Sequence, residues 1–173
     1  MAYLPPNSGL YNRQNEHDNC GIGFVAHVKG ERSHGIVEKG LEVLANLRHR
    51  GAEGADSNTG DGAGITIQIP REYYMSQGID LPEEGRFGTG ILFLPQVEKE
   101  AQYCLDKLKE FAEEKGLELI TIRDVPVDPN EIGDLAKQEQ PIIRQVFLKG
   151  DLPQEILERK LFILRSKLEK HIE

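Results

Sequence analysis

Apolar residues recur at two different periods along this chain, and the switches between them outline its elements. Residues 20–28 (CGIGFVAHV) alternate as a half-buried strand does, and Gly21 and Gly23 leave room for close backbone approach. Residues 35–49 change to helical spacing: Val37, Leu41, Leu44 and Arg48 share one stripe, flanked by Ile36, Val43 and Leu47, and Gly51 is a plausible stop. A loop rich in Gly, Asp and Asn covers 51–64. Ile65, Ile67 and Ile69 then alternate with polar neighbours up to Pro70, which predicts a second strand.

The later part repeats the alternation of types. A linker at about 76–87 leads to a strand at 88–94 closed by Pro95. Residues 97–115 form the strongest helical pattern, with Val97, Ala101, Cys104, Leu105, Leu108, Phe111 and Ala112 on one stripe and Gly116 behind them. Strands at 117–123 and 142–149 flank a short helix at 130–139. An amphipathic helix at 154–172 follows, carrying Ile156, Leu157, Leu161, Leu164 and Leu168. There is no internal repeat and no low-complexity tract.

Length and charge narrow the function classes. The 173 residues suit about one domain. A net charge of −8, with Arg48-His49-Arg50 as the only compact basic run, argues against nucleic-acid binding. Ile91-Leu92-Phe93-Leu94 is strand-sized, far below the about 20 residues of a membrane span. Residues 1–19 lack the basic start and apolar run of a secretory signal, so they read either as a disordered leader or as a propeptide. Two cysteines without such a signal fit a reducing, cytoplasmic setting.

Candidate chemistry concentrates at Cys20. A cysteine that becomes residue one of a mature chain carries a thiol nucleophile and a free amine, and the amine can serve as the base. Cys104, within a helical apolar stripe, reads instead as a small hydrophobe. The loop Ala55–Gly64 fails the phosphate-loop pattern for want of a lysine and a following helix, and fails the calcium-loop pattern at Gly60, Asp61 and Ile67. It reads as a tight turn. The histidines do not stand at metal-ligand spacing, so no metal site is assigned. The basic end of the first helix is either complement to its dipole or a source of one inward-turned arginine.

Three segments together carry a resemblance: Cys20-Gly21-Ile22-Gly23-Phe24, Leu47-Arg48-His49-Arg50-Gly51-Ala52 and Thr59-Gly60-Asp61-Gly62-Ala63-Gly64. With Arg123–Val127, Gln140–Phe147 and Arg159–Phe162, they are similar to the glutaminase domain of glutamate synthase large subunits, class II glutamine amidotransferases. The resemblance covers the chain from about His17 onward. It implies an α+β fold of the N-terminal-nucleophile hydrolase type, a four-layer αββα sandwich with antiparallel sheets. It implies a propeptide over 1–19, a domain from 20 to 173, Cys20 as catalytic nucleophile and Arg50 as the residue ordering the active site or binding substrate.

L-Glutamine is the implied substrate, and the ammonia released would serve glutamate synthesis in a larger oxidoreductase. In that family the oxyanion-hole Asn-Gly pair and the residues gripping the glutamine α-carboxylate and α-amine lie beyond position 173. The sandwich is therefore expected to be incomplete in this chain, with the remaining synthase domains or a second chain as partner. No cofactor is expected in this chain; FMN and an iron–sulfur cluster are implied for later domains. The alternative is a non-catalytic module that needs a partner chain.

Overall fold

The computed structural model describes residues 21–47, 59–60 and 62–172. The chain divides into two compact units, 1–66 and 67–173.

In the first unit, helix α1 runs His34–Asn46, starting one residue before the predicted 35–49, of which residues 48 and 49 lie outside the described residues. Ser33 enters it in extended conformation and its carbonyl accepts from the Ile36 amide at 3.2 Å. No residue of α1 is buried, and Leu41 of the expected stripe is 50% exposed. The two strands expected at 20–28 and 65–69 are not formed among the described residues. Ile22, Phe24 and Val28 are each at least 91% exposed, and Ile65, Ile67 and Ile69 are exposed as well. The physical reason is that a strand exists only by pairing. Alternation prepares one face of a sheet, but the ladder hydrogen bonds must come from a neighbour.

The second unit is built on a three-stranded antiparallel sheet of order β1-β3-β2, with β1 at Phe87–Leu94, β2 at Glu118–Asp124 and β3 at Ile142–Lys149. Helix α3 (Glu98–Glu114) joins β1 to β2, and β3 inserts between them antiparallel to both. That is a split β-α-β arrangement. Helix α5 (Gln154–Ile172) follows β3 and matches its predicted bounds. α3 and α5 cover one face of the sheet, where Leu108, Phe111, Ala112, Val146, Leu148, Leu157 and Leu164 form the main core. The central strand is the most buried, as expected for one paired on both sides.

The end of α3 shows how local sequence stops a helix. Gly116 adopts φ 67°, a conformation that costs a glycine little. Its amide donates to the Glu113 carbonyl and the Leu117 amide to the Ala112 carbonyl, both at 2.9 Å. These two bonds satisfy carbonyls the helix leaves open, and Leu117 packs in the same cluster as Ala112.

The single helix expected at 130–139 is a 3-10 turn at Pro129–Glu131 followed by helix α4 at Asp134–Gln138, separated by Ile132 and Gly133 in extended conformation. The linker expected at about 76–87 is a packed arm. Helix α2 (Arg71–Ser76) begins directly after Pro70. Arg71 then ties the arm back on itself: its Nε donates to the Pro82 carbonyl at 2.6 Å and its Nη2 to the Leu81 carbonyl at 2.8 Å. Leu81 is 1% exposed and packs with Phe87 and Phe147 on the sheet face opposite α3 and α5.

Candidate active site

Cys20 and Arg50, the two residues expected to carry or order the chemistry, lie outside the described residues, as do His49 and the leader 1–19. What the structure describes is the scaffold on either side of them. Gly23, three residues after Cys20, lies so close to α1 that a Cβ there would collide with Cγ1 of Val43. Val43 opens the last turn of the helix that precedes Leu47 and, in sequence, the Arg48–Gly51 motif. One turn earlier, Gly40 faces Ile65, whose Cδ1 would stand 2.8 Å from an added Cβ. α1 is thus the common support of the segment after Cys20 and the segment after the Gly/Asp loop. Small residues at 23 and 40 permit both approaches.

Of the Gly/Asp loop, residues 59–60 and 62–64 are described; Gly60 forms a β-bridge and no turn is formed among them. Gly62 has φ 79°, which L side chains rarely adopt. Among the described residues, the Thr59 hydroxyl is buried without a hydrogen-bond partner. A turn at His27–Gly30 is closed by the Gly30 amide on the His27 carbonyl at 2.9 Å, and the Glu31 amide donates to His27 Nδ1 at 3.1 Å. His27 is therefore occupied in holding a surface turn.

Cys104 sits where the helical stripe placed it. It is 6% exposed among Leu94, Ala101 and Leu105. Burial pushes its thiol pKa up, with the nearby Glu100 carboxylate adding to the effect. A protonated, enclosed thiol is a poor nucleophile, which leaves Cys20 as the chain's candidate. Among the described residues no group of His, Cys, Asp and Glu could hold a metal ion. The two cysteines of the sequence fall short of the four thiolates that usually hold an iron–sulfur cluster, and Cys104 faces an apolar core. The residues present do not fit such a cluster.

Three sequence motifs that accompany Cys20 turn out to build the second unit's frame. Arg123 of β2 stands opposite Gln145 of β3, and Asp124 opposite Arg144. Arg123 Nε donates to Gln145 Oε1 at 2.9 Å, and Gln145 Nε2 donates to the Tyr74 and Thr89 hydroxyls, each at 2.9 Å. The Arg123 guanidinium also lies 5.4 Å from the Tyr74 ring centroid. Gln145, 2% exposed, is thereby fully satisfied and pins α2 to the sheet. Arg144 bridges Glu98 at 2.9 Å and Asp124 at 3.1 Å, and these two hydrogen bonds raise its pKa further. From the third motif, Lys160 caps the Lys115 carbonyl at 2.6 Å and Leu161 packs over Gly88. Spacing in the sequence held no sign of the Tyr74–Thr89–Arg123–Gln145 network, because its members come from four separate elements or turns.

Comparison with known proteins bears on the same residues. The family model described as class II glutamine amidotransferases matches residues 20–173. The chain is 40% identical over 176 residues to the glutamate synthase (NADPH) large chain of Bacillus subtilis strain 168, covering 98% of this chain and 12% of that protein. It is 38% identical over 175 residues to the ferredoxin-dependent glutamate synthase of Pyropia yezoensis, covering 98% and 11%. To the glutamate synthase (NADH) of Saccharomyces cerevisiae it is 40% identical over 154 residues, covering 84% and 7%. The chain therefore spans 7–12% of the length of these relatives.

Proposed function

Because the chain belongs to the class II glutamine amidotransferases, we propose that it is the glutaminase portion of a glutamate synthase and releases ammonia from L-glutamine through Cys20. The observation that carries this reading is that the family match begins at Cys20 itself and runs to residue 173. Residues 1–19 are then a propeptide, and its removal frees the Cys20 amine. An amine with an ordinary pKa of about 8 can take the thiol proton, whereas an amide nitrogen cannot. The thiolate attacks the glutamine side-chain carbonyl carbon and the C–N bond breaks. The proton passes to the leaving nitrogen, and ammonia departs. Water then cleaves the γ-glutamyl thioester, giving glutamate and the free thiol.

Arg50, four residues after the end of α1 in sequence, orders the nucleophile segment or holds substrate. The architecture we propose is the four-layer αββα sandwich of N-terminal-nucleophile hydrolases. The exposed, alternating segments at 22–28 and 65–69 support it, since each is prepared for a sheet. Oxyanion donors and the substrate clamp come from other parts of the protein or from a second chain, as do FMN and the iron–sulfur cluster. The proposed compartment is the cytoplasm; among the described residues no helix is long and apolar enough to cross a membrane. Relatives named for NADPH, ferredoxin and NADH all align with this segment, so it does not select the electron donor. The same exposed apolar residues favour a second reading, a module without activity until a partner chain covers them.

One experiment separates these readings. The complete protein is treated with a glutamine-analogue alkylator, and its N-terminus is sequenced. Modification at Cys20 of a chain that starts there, with activity lost in Cys20→Ala, is the expected result. Active protein that still begins at Met1 or Ala2, or labelling at Cys104 instead, overturns the assignment. An unlabelled, inactive protein supports the module.

A further inference from the structure

The second unit's sheet holds one complete crossover and the first half of another. β1 and β2 are both antiparallel to β3, hence parallel to each other, and α3 carries the chain from one to the other across β3. α5 leaves β3 on the same face of the sheet as α3. It runs antiparallel to α3: Lys160, in its second turn, caps the Lys115 carbonyl at the end of α3, and His171 Nε2, in its last turn, stands 3.2 Å from the hydroxyl of Tyr103 in the second turn of α3. Its 19 residues span about 28 Å, close to the about 26 Å of the eight-residue strands. Because α3 begins just after β1, the chain emerges from α5 at the end of the sheet where β1 finishes, in place to run back along it parallel to β3.

Handedness decides on which side of the sheet it does so. Crossovers between parallel strands are right-handed in about 98% of cases. For helices on one face, reversing the direction of the first strand reverses the side to which a crossover of that hand steps. α3 steps from β1 over β3 to β2. α5 starts from β3, which runs the other way, so it must step over β1. The place it reaches lies beyond β1; beyond β2 the same crossover would have the opposite hand from that of α3. This completes the β-α-β-β-α-β motif of which the structure holds the first five elements.

The two outer strands agree with that choice. β2 carries Glu118, Arg123 and Asp124, and its register shifts between Leu119 and Thr121. Charges and bulges keep an edge from pairing. β1 reads FGTGILFL, with no charge, no proline and an unbroken register with β3, so nothing in it resists a second neighbour. Ile91 and Phe93, on the face away from α3 and α5, are 47% and 70% exposed, and a strand beside β1 gives them cross-strand partners.

The chain spans 7–12% of the length of its relatives. We propose that in the complete protein the segment directly after α5 is a fourth strand, antiparallel to β1 and beyond it, so that β1 lies between this strand and β3. The proposal rests on the reading of this chain as a portion of a longer protein, not on the chemistry at Cys20. A connection of at most about 6 residues and a strand of at most about 10 confine the partner to about 16 residues after the helix.

Photo-cross-linking of the complete protein, read by peptide mass mapping and not by activity, tests the pairing. Benzoylphenylalanine in place of Ile91 should bond to a peptide from the segment directly after α5, and the same group in place of Thr121 on β2 should not. Amide exchange reads the ladder separately. An edge strand leaves alternate amides unpaired, whereas the amides of Gly88–Leu94 should all exchange at least about 100-fold more slowly than unpaired ones. Fast exchange at every second residue of β1 overturns the proposal. So does capture of the Ile91 probe by any other stretch of the chain or by a second copy, and so does capture of the following segment from position 121.

Discussion

Gly23→Ala and Gly40→Ala look alike in sequence and should differ sharply in effect. Both add one methyl group facing a hydrophobic neighbour. At Gly23 the neighbour is Cγ1 of Val43, far inside the 3.4–4 Å of ordinary contact. Valine in a helix holds essentially one χ1 rotamer, so its methyl cannot swing aside. The segment after Cys20 must lift off α1 by on the order of 1 Å, at a cost of about 1–3 kcal/mol for overpacking. A displacement of that size three residues from a nucleophile should lower glutamine hydrolysis by on the order of 100-fold. At Gly40 the neighbour is the free end of Ile65, which is 42% exposed and can rotate. Alanine there also gains about 1 kcal/mol of helix propensity over glycine, so Gly40→Ala should be neutral or mildly stabilising. The assay is glutamine-dependent ammonia release by the complete protein, with thermal unfolding alongside. Val43→Ala removes the clashing methyl groups and should restore most of the activity of Gly23→Ala. Near-normal activity in Gly23→Ala, an equal loss in Gly40→Ala, or no rescue by Val43→Ala would refute the reasoning.

Two further outcomes are expected. Gln145→Leu strands the Tyr74 hydroxyl and the Arg123 guanidinium beside the sheet and should cost about 2–3 kcal/mol in urea unfolding; a loss under about 0.5 kcal/mol, the scatter of surface substitutions, would show that the network does not hold α2 in place. Burial raises the Cys104 thiol pKa, so the folded state binds its proton more tightly than the unfolded chain does. The associated stabilisation is fully present below the ordinary thiol range of about 8.5 and is lost as pH rises through the folded-state value. Denaturation between pH 7 and 10 should therefore show a steeper alkaline decline in the native sequence than in Cys104→Ala, and equal slopes would deny the burial effect.

Where helical spacing or a central strand was involved, the sequence determined the outcome. α5 falls on 154–172, β3 on 142–149 and α3 within one residue of each predicted end. Their stripes are long, and Gly116 and Pro95 are local signals that act without tertiary context. The family, too, was legible, because Cys20, Arg50 and the glycine loop stand in an order that chance seldom produces. Tertiary structure alone decided the rest. Whether 20–28 and 65–69 become strands depends on hydrogen bonds from another segment, and alternation by itself supplies none. The arm at 71–87 holds few residues with strong propensity, and it is ordered by Arg71 on the Leu81 and Pro82 carbonyls and by Leu81 under Phe147. The order β1-β3-β2 brings Arg123 beside Gln145. Such pairings join residues far apart in sequence, and their energy exists only once the chain between them has folded back.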